Sequence, residues 1–213
     1  MLRPGWTDVV LRATLLVLVA SALAACGSLG GASHPSRASV SPEPPSPEIQ
    51  ARYAGLVERL QAGDANAVAE LAAFSAENPG LAGPLLNLGL ARVRAGDEAG
   101  ARALFERAST VCTHCGAVWN ELGILDRLQG QFAEAEKAYR LAIELEPGYA
   151  SSYYNLAVLY ELYIPRPELA VENYERYLQL GGTAGEGQDV EKWVADLRRR
   201  SGVPAAARAE ATS

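Results

Sequence analysis

The sequence repeats itself every 34 residues. When units are started at positions 48, 82, 116 and 150, a small residue recurs at the eighth place of each unit: Gly55, Gly89, Gly123 and Ala157. In the first three units a second small residue (Ala67, Ala101, Ala135) is followed four places later by a bulky one (Leu71, Phe105, Tyr139). Small residues let two helices cross closely, and bulky neighbours fill the remaining volume. A fixed period of this length predicts an all-α solenoid in which each unit is one pair of helices.

Turn residues punctuate the same units. Glycine occurs between the expected helices at Gly63, Gly96 and Gly130, and Pro79 and Pro147 close two of the units. Proline disfavours a helical residue before it and cannot continue a helical ladder. The fourth unit departs from the pattern, because its turn, Tyr163 to Pro167, is one residue longer.

The third unit carries the most specific pattern. It resembles the tetratricopeptide repeat at Trp119, Leu122, Gly123, Ala135, Tyr139, Ala142 and Pro147. The resemblance implies four helix-turn-helix units at 48–81, 82–115, 116–149 and 150–181. A loop and a capping helix are expected over 182–200, because Val190, Trp193, Val194 and Leu197 fall on one helical face. Residues 201–213 are predicted to form a disordered tail.

The first 25 residues have the pattern of an export signal. Arg3 and Arg12 precede an uncharged, mostly apolar stretch of 13 residues, 13–25, which is shorter than the ~20 residues of a membrane-spanning helix. The stretch ends at Leu23-Ala24-Ala25-Cys26, which resembles the lipobox of bacterial lipoproteins. The resemblance implies cleavage before Cys26 and a covalent diacylglycerol on its thiol. Ordinary cleavage after Ala24 is the alternative.

Residues 26–47 predict a lipidated tether. The segment is rich in proline and serine and has few groups able to build a core. In the sorting rule of the lipoprotein family, an aspartate after the cysteine retains the protein at the inner membrane. Gly27 and Ser28 follow Cys26 instead, so the expected location is the periplasmic side of the outer membrane.

The sequence offers no convincing catalytic or metal site. It has two histidines, and we find no phosphate loop, nucleophile elbow or zinc-protease helix. A net charge of −6 without a basic stripe argues against nucleic acid as a partner. We therefore expect no enzyme activity and no cofactor besides the lipid on Cys26.

Cys112 and Cys115 flank His114 at the junction of the second and third units. In an oxidising periplasm the pair favours a structural disulfide. Free thiols, a metal site and a thiol/redox function remain as alternatives.

In tetratricopeptide arrays the first helices of successive units line a groove for protein segments. The resemblance carries the groove positions over to Arg52, Asn87, Leu90, Asn120, Ile124, Arg127, Tyr154, Val158 and Glu161, with Arg94 beside them. Asparagines near an apolar floor suit an extended or helical segment. This pattern predicts a protein-binding adaptor.

A second resemblance concerns the C-terminal part, from Asn155 to Tyr163, Tyr174 to Leu178 and Trp193 to Arg200. These segments look like a group of proteobacterial repeat proteins described as components of TonB-type energy-transducing systems. The likeness implies an envelope protein as partner, in a TonB-type or envelope-assembly complex. Assembly lipoproteins of type IV pili and adaptors of cell-wall enzymes share the same layout and remain the alternatives.

Overall fold

The computed structural model describes residues 44–182 and 187–204. Within these ranges it contains nine α-helices and no strand, which confirms the all-α prediction. The helices are α1 Pro47–Gln61, α2 Ala67–Glu77, α3 Ala82–Arg94, α4 Glu98–Val111, α5 Gly116–Leu128, α6 Phe132–Leu145, α7 Ala150–Leu162, α8 Pro167–Gln179 and α9 Gly187–Ser201. None of the described helices is long and apolar enough to cross a membrane. The export signal, Cys26 and all of the tether except its last four residues lie outside the described residues.

The chain divides into two compact units, Met1–Gly80 and Leu81–Ser213. The described part of the first unit is the pair α1 and α2. Helix α1 begins after Ser46, whose hydroxyl accepts a hydrogen bond from the Ile49 amide at 3.3 Å, with Pro47 in its first turn. Serine before a helix and proline at its start are the preferred residues there.

The second unit contains three helix pairs, α3–α4, α5–α6 and α7–α8, followed by α9. The first helices of these pairs begin at residues 82, 116 and 150, which are 34 residues apart. The second helices begin at 98, 132 and 167, so the last spacing is 35 residues. The longer turn of the fourth unit adds the extra residue.

Glycines with positive φ end the helices. Gly96 and Gly130 have φ of 76° and 75°, a region that residues with a Cβ rarely adopt. In each turn the glycine amide and the next amide donate back to carbonyl groups of the helix, as at Gly130 to Arg127 and Gln131 to Asp126. This arrangement satisfies carbonyls that would otherwise lack partners at a helix end.

Close crossings within the pairs explain the repeated glycines. A Cβ built at Gly89 would collide with the ring of Phe105, and one at Gly123 would lie 2.7 Å from ring carbons of Tyr139. Both rings are fully buried. A small residue at the eighth place is therefore required wherever an aromatic ring of the second helix packs against it.

Helix α9 covers the end of the array. Val190, Val194 and Leu197 are buried, and α9 contacts α8. Arg198 of α9 donates to Glu175 of α8 at 2.6 Å. The helix includes Ser201, the first residue of the predicted tail, and residues 205–213 of that tail lie outside the described range.

Candidate functional site

Three first helices of the second unit carry most of the predicted binding residues. Helix periodicity puts each set on one side of its helix, and α5 and α7 contact each other directly. We call this set the inner face: Asn87 and Leu90 on α3, Asn120, Ile124 and Arg127 on α5, and Tyr154, Val158 and Glu161 on α7. Arg52 lies in the first unit, on α1, where its guanidinium donates to Glu77 at 2.6 Å.

A buried amide pair joins α5 to α7. The side-chain nitrogen of Asn155 donates to Oδ1 of Asn120 at 2.9 Å, and both residues are buried. Asn120 in turn donates to the carboxylate of Glu121 at 3.2 Å. Buried hydrogen bonds between side chains of two helices fix their register, because leaving any member unpaired is costly.

Glu121 was missed by the sequence analysis. It occupies the sixth place of its unit, the place that Asn87 and Asn155 occupy in theirs, and this shared position was the available signal. Burial raises the pKa of Glu121 to about 7, while the hydrogen bond from Asn120 opposes the shift. A buried carboxyl group with a raised pKa therefore lies next to the amide pair of Asn120 and Asn155.

Apolar residues form the floor of the inner face and extend to its edge. Leu90, Ile124 and Val158 are buried at the ninth place of three successive units. At the ends of α5 and α7, Leu128 is 55% exposed and Leu162 42% exposed, and Tyr163 is 40% exposed. Four of the exposed residues that lie in the last turns of the first helices or directly after them form what we call the rim: Arg94, Leu128, Leu162 and Tyr163. Exposed leucine and tyrosine beside an apolar floor are typical of protein interfaces.

Two charged members of the inner face differ in their partners. Arg127 is buried, its Nε donates to the hydroxyl of Tyr139 at 3.3 Å, and its guanidinium lies 5.7 Å from the centre of the Tyr163 ring. The carboxylate of Glu161 instead accepts from the hydroxyl of Tyr174 at 2.9 Å and pairs with Arg200 of α9. Glu161 thus holds α7, α8 and α9 together.

The comparisons with known proteins agree with this architecture. The family model described as "TPR repeat" matches residues 123–162, which run from α5 to the end of α7. A crystal structure of MamA matches with a TM-score of 0.56 at 20% identity, over 69% of this chain and 84% of that chain. The fold is a TPR-type solenoid.

Further solved structures share the TPR-type fold at similarly low sequence identity. A structure described as "MamA RS-1 ArsTM double mutant" matches with a TM-score of 0.56 at 17% identity, over 73% of this chain and 85% of that chain. Another MamA structure has a TM-score of 0.51 at 19% identity, over 75% and 97%. At these identities the likeness concerns the fold. A search of curated proteins gave no match.

The cysteine pair lies at the turn between α4 and α5, where Cys115 packs against the apolar core of the second compact unit. The structure joins Cys112 and Cys115 in a disulfide, with their Cα atoms 5.5 Å apart. His114 brings a third ligand atom within 4.8 Å of both sulfur atoms. Because a metal ligand must be a thiolate, the bonded sulfur atoms offer no site to a metal while the disulfide is intact.

Proposed function

We propose that this protein is a lipid-anchored adaptor of the bacterial envelope that binds segments of partner proteins on its inner face and rim. The observation that carries the proposal is the combination on α5 and α7 of a buried amide pair, an apolar floor and exposed leucines. A TPR-type solenoid supports a role as an interaction scaffold, since stacked helix pairs create extended binding surfaces.

The anchor is the second part of the proposal. Cys26 follows an apolar stretch with basic residues before it, and a proline-rich tether separates it from α1. Acyl chains on Cys26 would contribute ~0.8 kcal/mol per buried methylene, enough in sum for durable attachment. The adaptor would then face the periplasm from the outer membrane.

The partner is proposed to be an envelope protein. The resemblance of the C-terminal segments points to a component of a TonB-type or envelope-assembly complex. Polar groups held at fixed positions on the inner face would set the register of the bound segment, and the leucines of the rim would contribute apolar contact area.

A pair of surface substitutions tests the binding part. The chain is extracted from membranes, and the proteins that co-purify with it are identified. We expect the Leu128→Glu/Leu162→Glu variant to lose these co-purifying proteins, because charged side chains would interrupt the apolar rim. Val111→Glu, at a residue 37% exposed on the second helix α4, is the matched control and should retain them. Circular dichroism and thermal melting check that both variants fold.

One result would contradict the proposal. If the double variant and the Val111→Glu control retain the same proteins in the same amounts, the rim does not contribute to binding. The proposed function would then have to be given up for this face of the solenoid.

A further inference from the structure

Arg94 and Arg127, both in the compact unit Leu81–Ser213, differ from the other arginines of the first helices in that they have no carboxylate partner in the described part of the chain. Among the described residues, no carboxylate pairs with Arg94 or Arg127. At the twelfth place of the repeat that starts at residue 48, which corresponds to Arg127, Arg59 binds both Asp64 and Glu70, at 2.7 and 2.6 Å. The chain contains 25 acidic and 19 basic residues, so carboxylates are not scarce. The two guanidinium groups therefore lack a charge partner that the rest of the chain supplies readily.

Both arginines lie at the same end of successive first helices. Arg94 is the last residue of α3, and Arg127 is in the last turn of α5. The carbonyl end of a helix favours a cation by ~0.3–1 kcal/mol, which makes an arginine without a carboxylate tolerable there. The helix end does not engage the five N–H donors of the guanidinium, whose planar arrangement suits a carboxylate.

Arg127 is 7% exposed, and the groups that interact with its guanidinium are tyrosines rather than carboxylates. Its Nε is taken by the hydroxyl of Tyr139, and the ring of Tyr163 lies 5.7 Å from the guanidinium. A tyrosine hydroxyl and a ring orient the guanidinium without neutralising its charge. For Arg94, partial burial lowers the pKa, and no described group counters this effect. A carboxylate beside it would raise that pKa again, because an opposite charge favours the charged form of the guanidinium.

Apolar residues accompany each arginine on the same side of its helix. Leu90 is one turn before Arg94, and Ile124 is one turn before Arg127 and Leu128. Leu128 is also the most exposed large apolar residue in the described part of the chain. Each arginine thus has an apolar residue one helical turn away, and the exposed side chain of Leu128 directly follows Arg127 in the sequence.

We propose that Arg94 and Arg127 bind carboxylates of a partner segment in which acidic residues stand next to leucine, isoleucine or phenylalanine. The carboxylates pair with the guanidinium groups, and the apolar side chains contact the rim leucines and Tyr163. This inference rests on the proposed adaptor function and names the chemistry of its partner.

Selection from random peptides tests the chemistry without knowledge of the partner. The full chain, extracted from membranes in a nonionic detergent, is used to select phage-displayed random dodecapeptides, and the selected sequences are counted. We expect Asp and Glu to be enriched within a few positions of Leu, Ile or Phe. Affinity of the selected peptides should fall as salt is raised, because the paired charges are partly exposed.

Single substitutions locate the site. In Arg94→Glu we expect affinity for the selected peptides to fall at least about tenfold, since attraction becomes repulsion. Arg94→Lys keeps the charge but not the planar fork of donors, and it should retain more affinity than Arg94→Glu does. Arg107→Glu makes the same charge change at an exposed residue of α4 and should leave affinity unchanged. Arg94 is exposed, so these variants do not depend on the buried contacts of Arg127.

The outcomes separate this inference from the proposed function. Selection of apolar or basic peptides that bind the Arg94→Glu variant equally well would overturn the acidic class and leave the adaptor function standing. Failure to select any peptide above a blank support would also overturn it. Loss of binding in Leu128→Glu/Leu162→Glu but not in Arg94→Glu would show a peptide site without the proposed charge recognition.

Discussion

At the scale of single residues, the eighth place of each unit shows how packing determines residue size. Gly89 and Gly123 lie against buried aromatic rings, whereas a Cβ at Gly55 would meet nothing within 4 Å. We expect Gly89→Ala to lower the free energy of unfolding by about 1–3 kcal/mol, because Phe105 must move in a packed core. Gly55→Ala should raise it by up to ~1 kcal/mol through helix propensity. Urea unfolding of both variants measures the difference, and equal effects would contradict the packing account.

Glu121 gives the second prediction at this scale. Its pKa of about 7 lies above the ~4.3 of an exposed glutamate, so the folded protein keeps a proton that the unfolded chain has released. Its contribution to stability is therefore fully present below about pH 4 and is lost as pH rises through 7. Tyr139 and Tyr149 lie close enough to interact electrostatically with its carboxylate.

The Glu121→Gln variant removes this titration. We expect it to be about as stable as the unsubstituted protein near pH 4 and more stable near pH 8, as measured by unfolding across that range. Glu144→Gln, at an exposed glutamate, should follow the unsubstituted protein at every pH. An unchanged pH dependence in Glu121→Gln would mean that this carboxyl is not the buried titrating group.

At the scale of helices and turns, the sequence period predicted most of the architecture. Helices α3, α5 and α7 begin at 82, 116 and 150, the unit starts read from the small and bulky positions. The prediction was possible because each helix pair packs in the same way, so that residues of the same size recur at the same places of each repeat. The longer turn before α8 was also visible, as an insertion between Tyr163 and Pro167.

The side-chain contacts between helices could not be predicted in the same way. Which side chains hydrogen-bond across two helices depends on small rotations that a period does not encode. The bond between Asn155 and Asn120, and the use of Glu161 by Tyr174 and Arg200, are of this kind. The sequence therefore indicated which face carries the candidate site but not which of its polar groups are already occupied.

The turn between α4 and α5 supplies a prediction at the same scale. A disulfide that closes the four-residue loop from Cys112 to Cys115 should stabilise the fold by about 2 kcal/mol, mainly by restricting the unfolded chain. We expect Cys112→Ser/Cys115→Ser to lose this amount in urea unfolding and to bind selected peptides normally. Reductant should destabilise the unsubstituted protein equally and leave the variant unaffected. A loss of function at unchanged stability would instead favour the thiol/redox alternative.

At the scale of the whole molecule, the proposed adaptor consists of a lipid anchor and a helical interaction domain. Cys26 lies outside the described residues, and its lipidation remains a prediction from the sequence. We expect Cys26→Ser to abolish incorporation of labelled fatty acid and to prevent cleavage before residue 26. Ser28→Ala is the matched control and should be labelled as the unsubstituted protein is. Continued labelling of Cys26→Ser would exclude this residue as the lipid site.

The central claim is that the face formed by α5 and α7 binds partner proteins. The most direct test is photocrosslinking in the envelope from position 154. Tyr154 is replaced there by a photoreactive phenylalanine derivative, which exchanges one aromatic residue for another. Lys137 on α6, with a side chain 78% exposed, is the control position. The account predicts defined adducts with envelope proteins from position 154 that are absent from position 137. Identical adducts from both positions, or none from position 154 in a folded protein, would contradict it.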